Sequence, residues 1–453
     1  MLPQIKIPQD VMEVIKRFKN NGYQAYIVGG TVRDALLGKE NFDYDVSTSA
    51  RPYEIQKVIP KAIPYGDFGT FLYVLKDKRI EITPFRNDAP GRKPHYSIVD
   101  SIENDLSRRD FTINSIAYDP IENKIIDPFG GIEDIKNKII RCTGSSKRIW
   151  EDPLRALRAV RFMAQLNFTI EPSTLYAIKA KSPLLETISR ERIRDEFSKI
   201  LLSDYSYEGL NMLFLTNLLN FIIPELLEGM GVEHYNKPYD VLEHNLIMSK
   251  YLSKKLHLKL VGVLHDVGKP FCAEKKEYGL EFPNHHEISA KIAEEVLRRL
   301  KYDSKTIKKV IHLIKHHMFI FYPEDDLYKA RKLVFTVGWE NIYDLIEIRK
   351  ADRLASGFPQ AIGPGLSNLI NKLEILQKEN LHYNLKDLAV KGDDLIKAFN
   401  LKPGPLIGQI LSYLLDEILK DPSLNEKNIL LEMAKNKFLP QEGGNLNENR
   451  FNK

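Results

Sequence analysis

The sequence predicts an α+β fold: an N-terminal head built on a small mixed sheet, then all-α regions. Three observations predict it. Runs rich in β-branched and aromatic residues, separated by turn residues, crowd the first ~140 residues. From residue 150 onward apolar residues recur at helical spacing and strand signals thin out. The Gly/Pro-rich stretch "SGFPQAIGPG" (356–365) then separates two helical blocks.

The chain has 453 residues and a formal charge of +5. Domains commonly run to about 100–200 residues, so three or four are expected. The mild basicity permits a nucleic-acid partner without arguing for one. No apolar run approaches the roughly 20 residues needed to span a bilayer. The opening "MLPQIKIPQDVMEVIKRF" lacks a signal-peptide core and cleavage site. Cys142 and Cys272 suggest no disulfide framework. A cytoplasmic location and no membrane partner are therefore expected.

In order, residues 10–21 read as a helix leading into the strand "YQAYIVGG" (23–30). "TVRDALLG" (31–38) begins a helix that stops at Gly38, and Asp43 and Asp45 lie on the next strand. "KAIPYG", "TFLYVLKD" and "KRIEITPFR" are three further strands. "FTINSIAYDPIENKIIDPFGG" (111–131) reads as a hairpin turning at "IEN". The expected regions are a head over 1–140, a helical neck over 141–232, helical blocks over 233–356 and 357–438, and a disordered tail over 439–453.

The chemistry is concentrated in "VGGTVRDALLGKENFDYDVST" (28–48). Gly29 and Gly30 at a strand-to-helix turn let backbone N–H groups approach a phosphate, and the helix N-terminus adds partial positive charge. Arg33 can clamp the same phosphates. Asp43 and Asp45, two apart on a strand, share one face. Two carboxylates beside a triphosphate cradle suit Mg²⁺ and two-metal nucleotidyl transfer. A glycine turn with two solvated aspartates is the bland alternative, and the complete run outweighs it.

This stretch resembles the first motif of the class II tRNA nucleotidyltransferases, the CCA-adding enzymes of the DNA polymerase beta superfamily, whose head bacterial poly(A) polymerases share. "RRDFTINSIAY" (108–118), "DPFGGIEDI" (127–135), "EDPLR" (151–155) and "RIRDEFSK" (192–199) follow in the order of the family's remaining motifs. Ile135 replaces the leucine of the third. The resemblance implies a polymerase-beta-like nucleotidyltransferase head, Mg²⁺ held by catalytic Asp43 and Asp45, and tRNA, CTP and ATP as partners.

In "WEDPLRALRAVRF", Asp152, Arg155, Arg158 and Arg161 are each three apart and form one inclined row on a helix. Carboxylate acceptors beside forked guanidinium donors can pair with a base edge. A salt-bridged amphipathic helix is the rival. The resemblance implies that Asp152 and Arg155 read the incoming CTP or ATP while Arg158 and Arg161 hold nucleotide and phosphates. It also implies that one of Arg108 and Arg109 binds nucleotide, and spacing leaves open which. Asn114 is a candidate for the sugar edge. Glu81 is either a third carboxylate near the metal or a partner of Arg79 or Arg86. Glu196 and Lys199 are expected to brace the neck helices.

A second constellation comprises His244, His265, Asp266, His286, His317 and Asp352, with His285 and His316 leaving a one-residue ambiguity. Imidazoles and aspartates at such intervals can converge on a divalent transition metal. The pattern resembles the HD phosphohydrolase domain. The rival is a degenerate helical spacer. "KPGPLIGQIL" (402–411) can present backbone N–H groups to RNA phosphates, or be an ordinary turn. The resemblance implies a tRNA-binding tail.

The sum is template-independent addition of C, C and A to tRNA 3′ ends. The rivals are a partial enzyme adding only CC or only A, a poly(A) polymerase, and an HD phosphohydrolase with an RNA-binding head. The partial reading rests on the segment 87–107. It is a few residues shorter than the family's flexible loop is expected to be, though Pro90, Gly91 and Pro94 keep it irregular and Arg92 and Lys93 can reach a phosphate.

Overall fold

The fold is known from a computed structural model that describes residues 5–40, 43–66, 69–75, 78–88, 96–233, 238–277, 279–379 and 387–439. It is mixed α+β, with its main sheet in the N-terminal region. Helix α1 (Gln9–Asn20) buries Val11, Val14, Ile15 and Phe18, the 3–4 spacing of one apolar face. It is followed by β1 (Ala25–Val28), α2 (Gly30–Leu36), β2 (Asp43–Thr48), α3 (Pro52–Val58), β3 (Ile63–Tyr65), β4 (Thr70–Leu75) and β5 (Lys78–Pro84). A small antiparallel pair, β6 (Arg86–Asp88) and β7 (Tyr96–Ile98), comes next. Pro90 to Pro94, with Arg92 and Lys93, lie outside the described residues.

Helix α4 (Ile102–Ser107) starts at Ser101, whose Oγ accepts from the N–H of Asn104. Strands β8 (Ala117–Asp119) and β9 (Lys124–Ile126) form the expected hairpin. The expected long strand before them is absent: Thr112–Asn114 is a 3₁₀ turn. Side chains hold it out of the sheet. Thr112 Oγ1 donates to Asp134, Asn114 Nδ2 to Asp110, and Ser115 Oγ to the Phe111 carbonyl.

The seven-stranded sheet runs β3-β4-β5-β2-β1-β8-β9. All its pairings are antiparallel except β2 with β5, which places Glu81 opposite Asp45. Alternation along β2 buries Tyr44 and Val46 and leaves Asp43 exposed and Asp45 half-buried on the other face.

Helices dominate the rest. Helix α5 (Gly131–Lys136) leads to α6 (Arg148–Glu151), α7 (Leu154–Leu166), α8 (Pro172–Lys181), α9 (Arg190–Leu201), α10 (Ser206–Leu215) and α11 (Leu219–Ile222). Then come α12 (Val241–Tyr251), α13 (Leu256–Leu264), α14 (His285–Arg299), α15 (Ser304–His316), α16 (Leu327–Val337) and α17 (Trp339–Ala355). The last block holds α18 (Pro364–Glu379), α19 (Gly392–Phe399), α20 (Pro405–Lys420) and α21 (Lys427–Phe438).

The chain divides into two compact units. One comprises residues 1–232, 253–260 and 294–307, and the other residues 233–252, 261–293 and 308–453. No helix among the described residues is long and apolar enough to cross a membrane.

Candidate active site

The first unit holds a cavity of about 460 Å³, a size suited to a nucleotide. Its floor is the turn between β1 and α2. Gly29 adopts φ 67° and ψ −134°. A Cβ there would sit 2.8 Å from Nη1 of Arg109 and 3.4 Å from Oδ2 of Asp45. Only glycine fits both the backbone and the approach. The turn is held from the other side by β2: the Asp45 N–H donates to Thr31 Oγ1 at 3.0 Å.

Seven arginines line the cavity, at positions 33, 108, 109, 155, 158, 161 and 192, against the carboxylates of Asp45, Asp110 and Asp152. Buried acids fix most of them. Asp105, fully buried, pairs with Arg108 through one oxygen at 2.9 Å and with Arg109 through the other at 3.0 Å. Arg109 is thereby the one brought against Gly29 and Asp45, while Arg108 lines the same cavity. Arg158 pairs with Asp110 at 2.6 Å, and Arg161 with Glu196 at 2.8 Å. The Arg161–Glu196 pair ties α7 to α9, while Lys199, 3.6 Å from Glu196, lies on α9 itself. Arg33 donates to Asn114 Oδ1 at 2.7 Å and to Asp34. Arg33, Arg158 and Arg161 surround the ring of Phe162 at 5.0, 5.5 and 4.3 Å. Burial, with Arg158 and Arg33 adding like charge against the pull of Glu196, brings Arg161 down to about 10. Positive charge crowded this closely suits a polyanion such as a triphosphate.

The row on α7 faces this cavity as its spacing implied. Pro153 sits at the N-cap, and Asp152 just before it accepts from the Leu154 N–H at 3.1 Å. Arg155 donates to the carbonyls of Arg148 and Arg108 and to Glu151.

Asp43 and Asp45 on β2 and Glu81 on β5 are near enough for their charges to act on one another. Burial raises the Asp45 carboxyl above its ordinary range; Arg109 and Arg33 pull it back, and Asp43 and Asp34 push it up. Glu81 is raised by burial, by Asp45 and by Asp43, against Arg79. Like-charged oxygens that destabilise one another's ionised forms fit a hard divalent cation, which would relieve that repulsion. The β2–β5 register sets Glu81 opposite Asp45, and Arg79 acts on it as well.

The histidine constellation assembles in the second unit. His244 Nε2 lies 3.3 Å from His265 Nε2, 3.3 Å from Asp352 and 3.6 Å from Asp266. Among the described residues two ligand sets result, His244–His265–Asp266 and Asp266–His285–His317, which share Asp266. The ring Nδ1 atoms of His265, His285 and His317 pair with the carbonyls of Gly262, Phe282 and Ile314, leaving each Nε2 for the centre. The Nε2 atoms of His285 and His317 are buried and make no hydrogen bond.

The expected His286 is corrected to His285. A Cβ on Gly268 would meet the Ser289 nitrogen at 2.5 Å and the His285 carbonyl at 2.9 Å, so the "HDVGK" turn packs hard on the first turn of α14. That contact turns His285 inward, and His286, one residue round the helix, is half-exposed.

Sequence reasoning missed Asp105, Asp110 and Phe162, and treated Arg192 only as part of a motif. An acid directly after two arginines was the available signal for Asp110. Nothing local marks Phe162 among core aromatics.

Residues 25–141 match the Poly A polymerase head domain, residues 167–230 the probable RNA and SrmB-binding site of polymerase A, and residues 280–434 the putative tRNA nucleotidyltransferase domain 2. The CCA-adding enzyme of Streptococcus mutans is 31% identical, with 94% of this chain and 96% of that protein covered. That of Ligilactobacillus salivarius is 32% identical, with 94% and 95% covered. A crystal structure of the Bacillus stearothermophilus CCA-adding enzyme in complex with CTP superposes with a TM-score of 0.73 at 29% identity, covering 96% of this chain and 98% of that one. The fold and site define a template-independent nucleotidyltransferase. The chain belongs to the CCA-adding enzyme family, whose chemistry implies a divalent metal.

Asp110 gives a pH signature. Although burial raises it, the Arg158 charge, hydrogen bonds from Asn114 and Arg158 and the Phe111 N–H bring its carboxyl from 3.8 to about 2. A depressed carboxyl contributes stability above its unfolded value, and that contribution fades as pH falls from 3.8 towards 2. One pKa unit is about 1.4 kcal/mol, so Asp110→Asn should lose about 2 kcal/mol at pH 7. Urea titrations at pH 7 and pH 2.5 check this; a difference as large at pH 2.5 as at pH 7 contradicts it.

Proposed function

We propose that this chain adds C, C and A to tRNA 3′ ends from CTP and ATP, both nucleotides using the one arginine-lined cavity. The observation that carries the reading is that one cavity is lined by Asp45 of β2, by the guanidiniums around Gly29, and by the row formed by Asp152 just before α7 and Arg155, Arg158 and Arg161 on it. Arg109 and the Gly29 turn hold the triphosphate, with Arg33, Arg108, Arg158 and Arg161 adding charge. Asp152 and Arg155 meet the base edge. Cytosine and adenine each present an amine donor beside a ring-nitrogen acceptor, which uracil and guanine reverse. A site built for the first pattern leaves partners unpaired with the second.

Asp43 and Asp45, with Glu81 opposite, would hold Mg²⁺. Bound there, the cation would supply charge for the attacking 3′-hydroxyl and the departing pyrophosphate. Asp45 supplies the anionic ligand, and the Arg109 charge favours its ionised form against burial. We assign the head to residues 1–140 and the nucleotide-reading neck to 141–232. Residues 357–438 are the tRNA-binding region, and the location is cytoplasmic.

Asp45→Asn should lower nucleotide addition by at least about 100-fold while leaving tRNA binding and the fold intact. Full activity in that variant removes the proposal. Complete CCA addition is separated from the partial alternatives by offering tRNA ending in CC with ATP alone. Efficient addition of one A is expected; failure there with efficient CC addition to the shorter tRNA establishes the CC-only enzyme.

A second reading is favoured by the buried Nε2 atoms of His285 and His317. The cluster of His244, His265, Asp266, His285, His317 and Asp352 takes a divalent transition metal, as in the HD phosphohydrolases it resembles. Metal analysis of the purified protein should find such an ion in the wild type and its loss in His265→Ala. Metal-free wild type after metal-replete expression supports the spacer alternative.

A further inference from the structure

Arg192, at the N-terminal end of α9, is absent from the residues given a role so far. We propose that it is a positioning residue for nucleotide choice, aiming the Asp152 carboxylate at the base edge through their ion pair. The inference rests on the reading that Asp152 meets the base.

Asp152 is held at both oxygens. Oδ1 accepts from the Leu154 N–H at 3.1 Å, and Oδ2 accepts from Nη2 of Arg192 at 2.9 Å. Both side chains line the cavity. Arg155, the other half of the reading pair, is oriented by partners of its own: Nη1 donates to the Arg148 carbonyl and to Glu151, and Nη2 to the Arg108 carbonyl. The orientation of the Asp152 carboxylate therefore depends on one backbone amide and on Arg192.

A carboxylate has about four lone-pair sites, so these two bonds leave room for an exocyclic amine. N4 of cytosine and N6 of adenine are donors and can complete the set. O4 of uracil and O6 of guanine are acceptors and face the same oxygens with repulsion. A carboxylate free to rotate would average this distinction away.

Arg192 is half-exposed, with 51% of its side chain accessible. An exposed ion pair is worth at most about 1 kcal/mol, so its removal should cost about fivefold in selectivity and not abolish it. Because Arg192 acts through Asp152, the loss should appear in the ratio between nucleotides rather than as a common loss for all of them.

The test measures the ratio of kcat/KM for CTP over UTP on tRNA lacking its 3′ end. It compares wild type, Arg192→Ala, Arg192→Lys, Asp152→Ala and the double alanine variant, with thermal unfolding as the fold control. The expected result is a ratio about fivefold lower in Arg192→Ala and restored in Arg192→Lys. With Asp152 already alanine, Arg192→Ala should not change the ratio further, because Arg192 acts through that carboxylate. Should Arg192→Ala fail to fold, Arg192→Gln takes its place and must lose the ratio that Lys keeps. An unchanged ratio in Arg192→Ala alongside a lost one in Asp152→Ala overturns the inference alone. An equal fall in both backgrounds also overturns it. An unchanged ratio in Asp152→Ala overturns the base-reading proposal, and this inference with it.

Discussion

The cavity depends on buried carboxylates that fix its arginines. A guanidinium donates hydrogen bonds and accepts none, so a wall of arginines collapses outward unless anions behind it hold each fork in place. Asp105 does this for Arg108 and Arg109, Asp110 for Arg158, and Glu196 for Arg161. Desolvating those acids is costly, and the paired guanidiniums offset the cost: Asp105 and Asp110 are held below the ordinary carboxylate range despite deep burial. Removing one acid would leave a crowded cation without its partner.

This arrangement divides the labour between shape and charge. The Gly29 turn and the β2–β5 register place the acidic residues, while α7 places a cavity-lining row three residues at a time. Phe162 gives the guanidiniums an aromatic surface to rest on, which fixes their planes without consuming donors. The carboxylates of β2 and the row at the start of α7 are therefore attached to different elements of one unit, with Arg109 and Arg158 lining the cavity beside them.

Much of this was legible in the sequence because it is local. Strand periodicity marked β2, β4 and β5, and the i, i+2 spacing of Asp43 and Asp45 survives as a shared face. The three-residue spacing on α7 survives as a row of cavity-lining side chains. What was not legible depends on partners distant in sequence. Glu81 meets Asp45 only because β2 and β5 pair in parallel, and no feature of "RIEITPFR" announces that. Thr112–Asn114 carries β-branched residues yet forms a turn, because Asp110 and Asp134 capture its side chains. His285 and His286 are adjacent and chemically identical, so only the packing of Gly268 against α14 chooses between them. The arginines are visible as charges, but their counter-ions become apparent only once the chain is folded.

The central claim is that one cavity receives both CTP and ATP and rejects the other two bases by their edge pattern. Competition binding on the wild-type protein tests it most directly, with labelled CTP displaced by each unlabelled nucleoside triphosphate in the presence of Mg²⁺. The account predicts that ATP displaces CTP completely at a single site, and that UTP and GTP need at least about tenfold higher concentrations, as expected when polar groups are left unpaired. Saturating ATP that leaves CTP bound, or four nucleotides that compete equally, would contradict it.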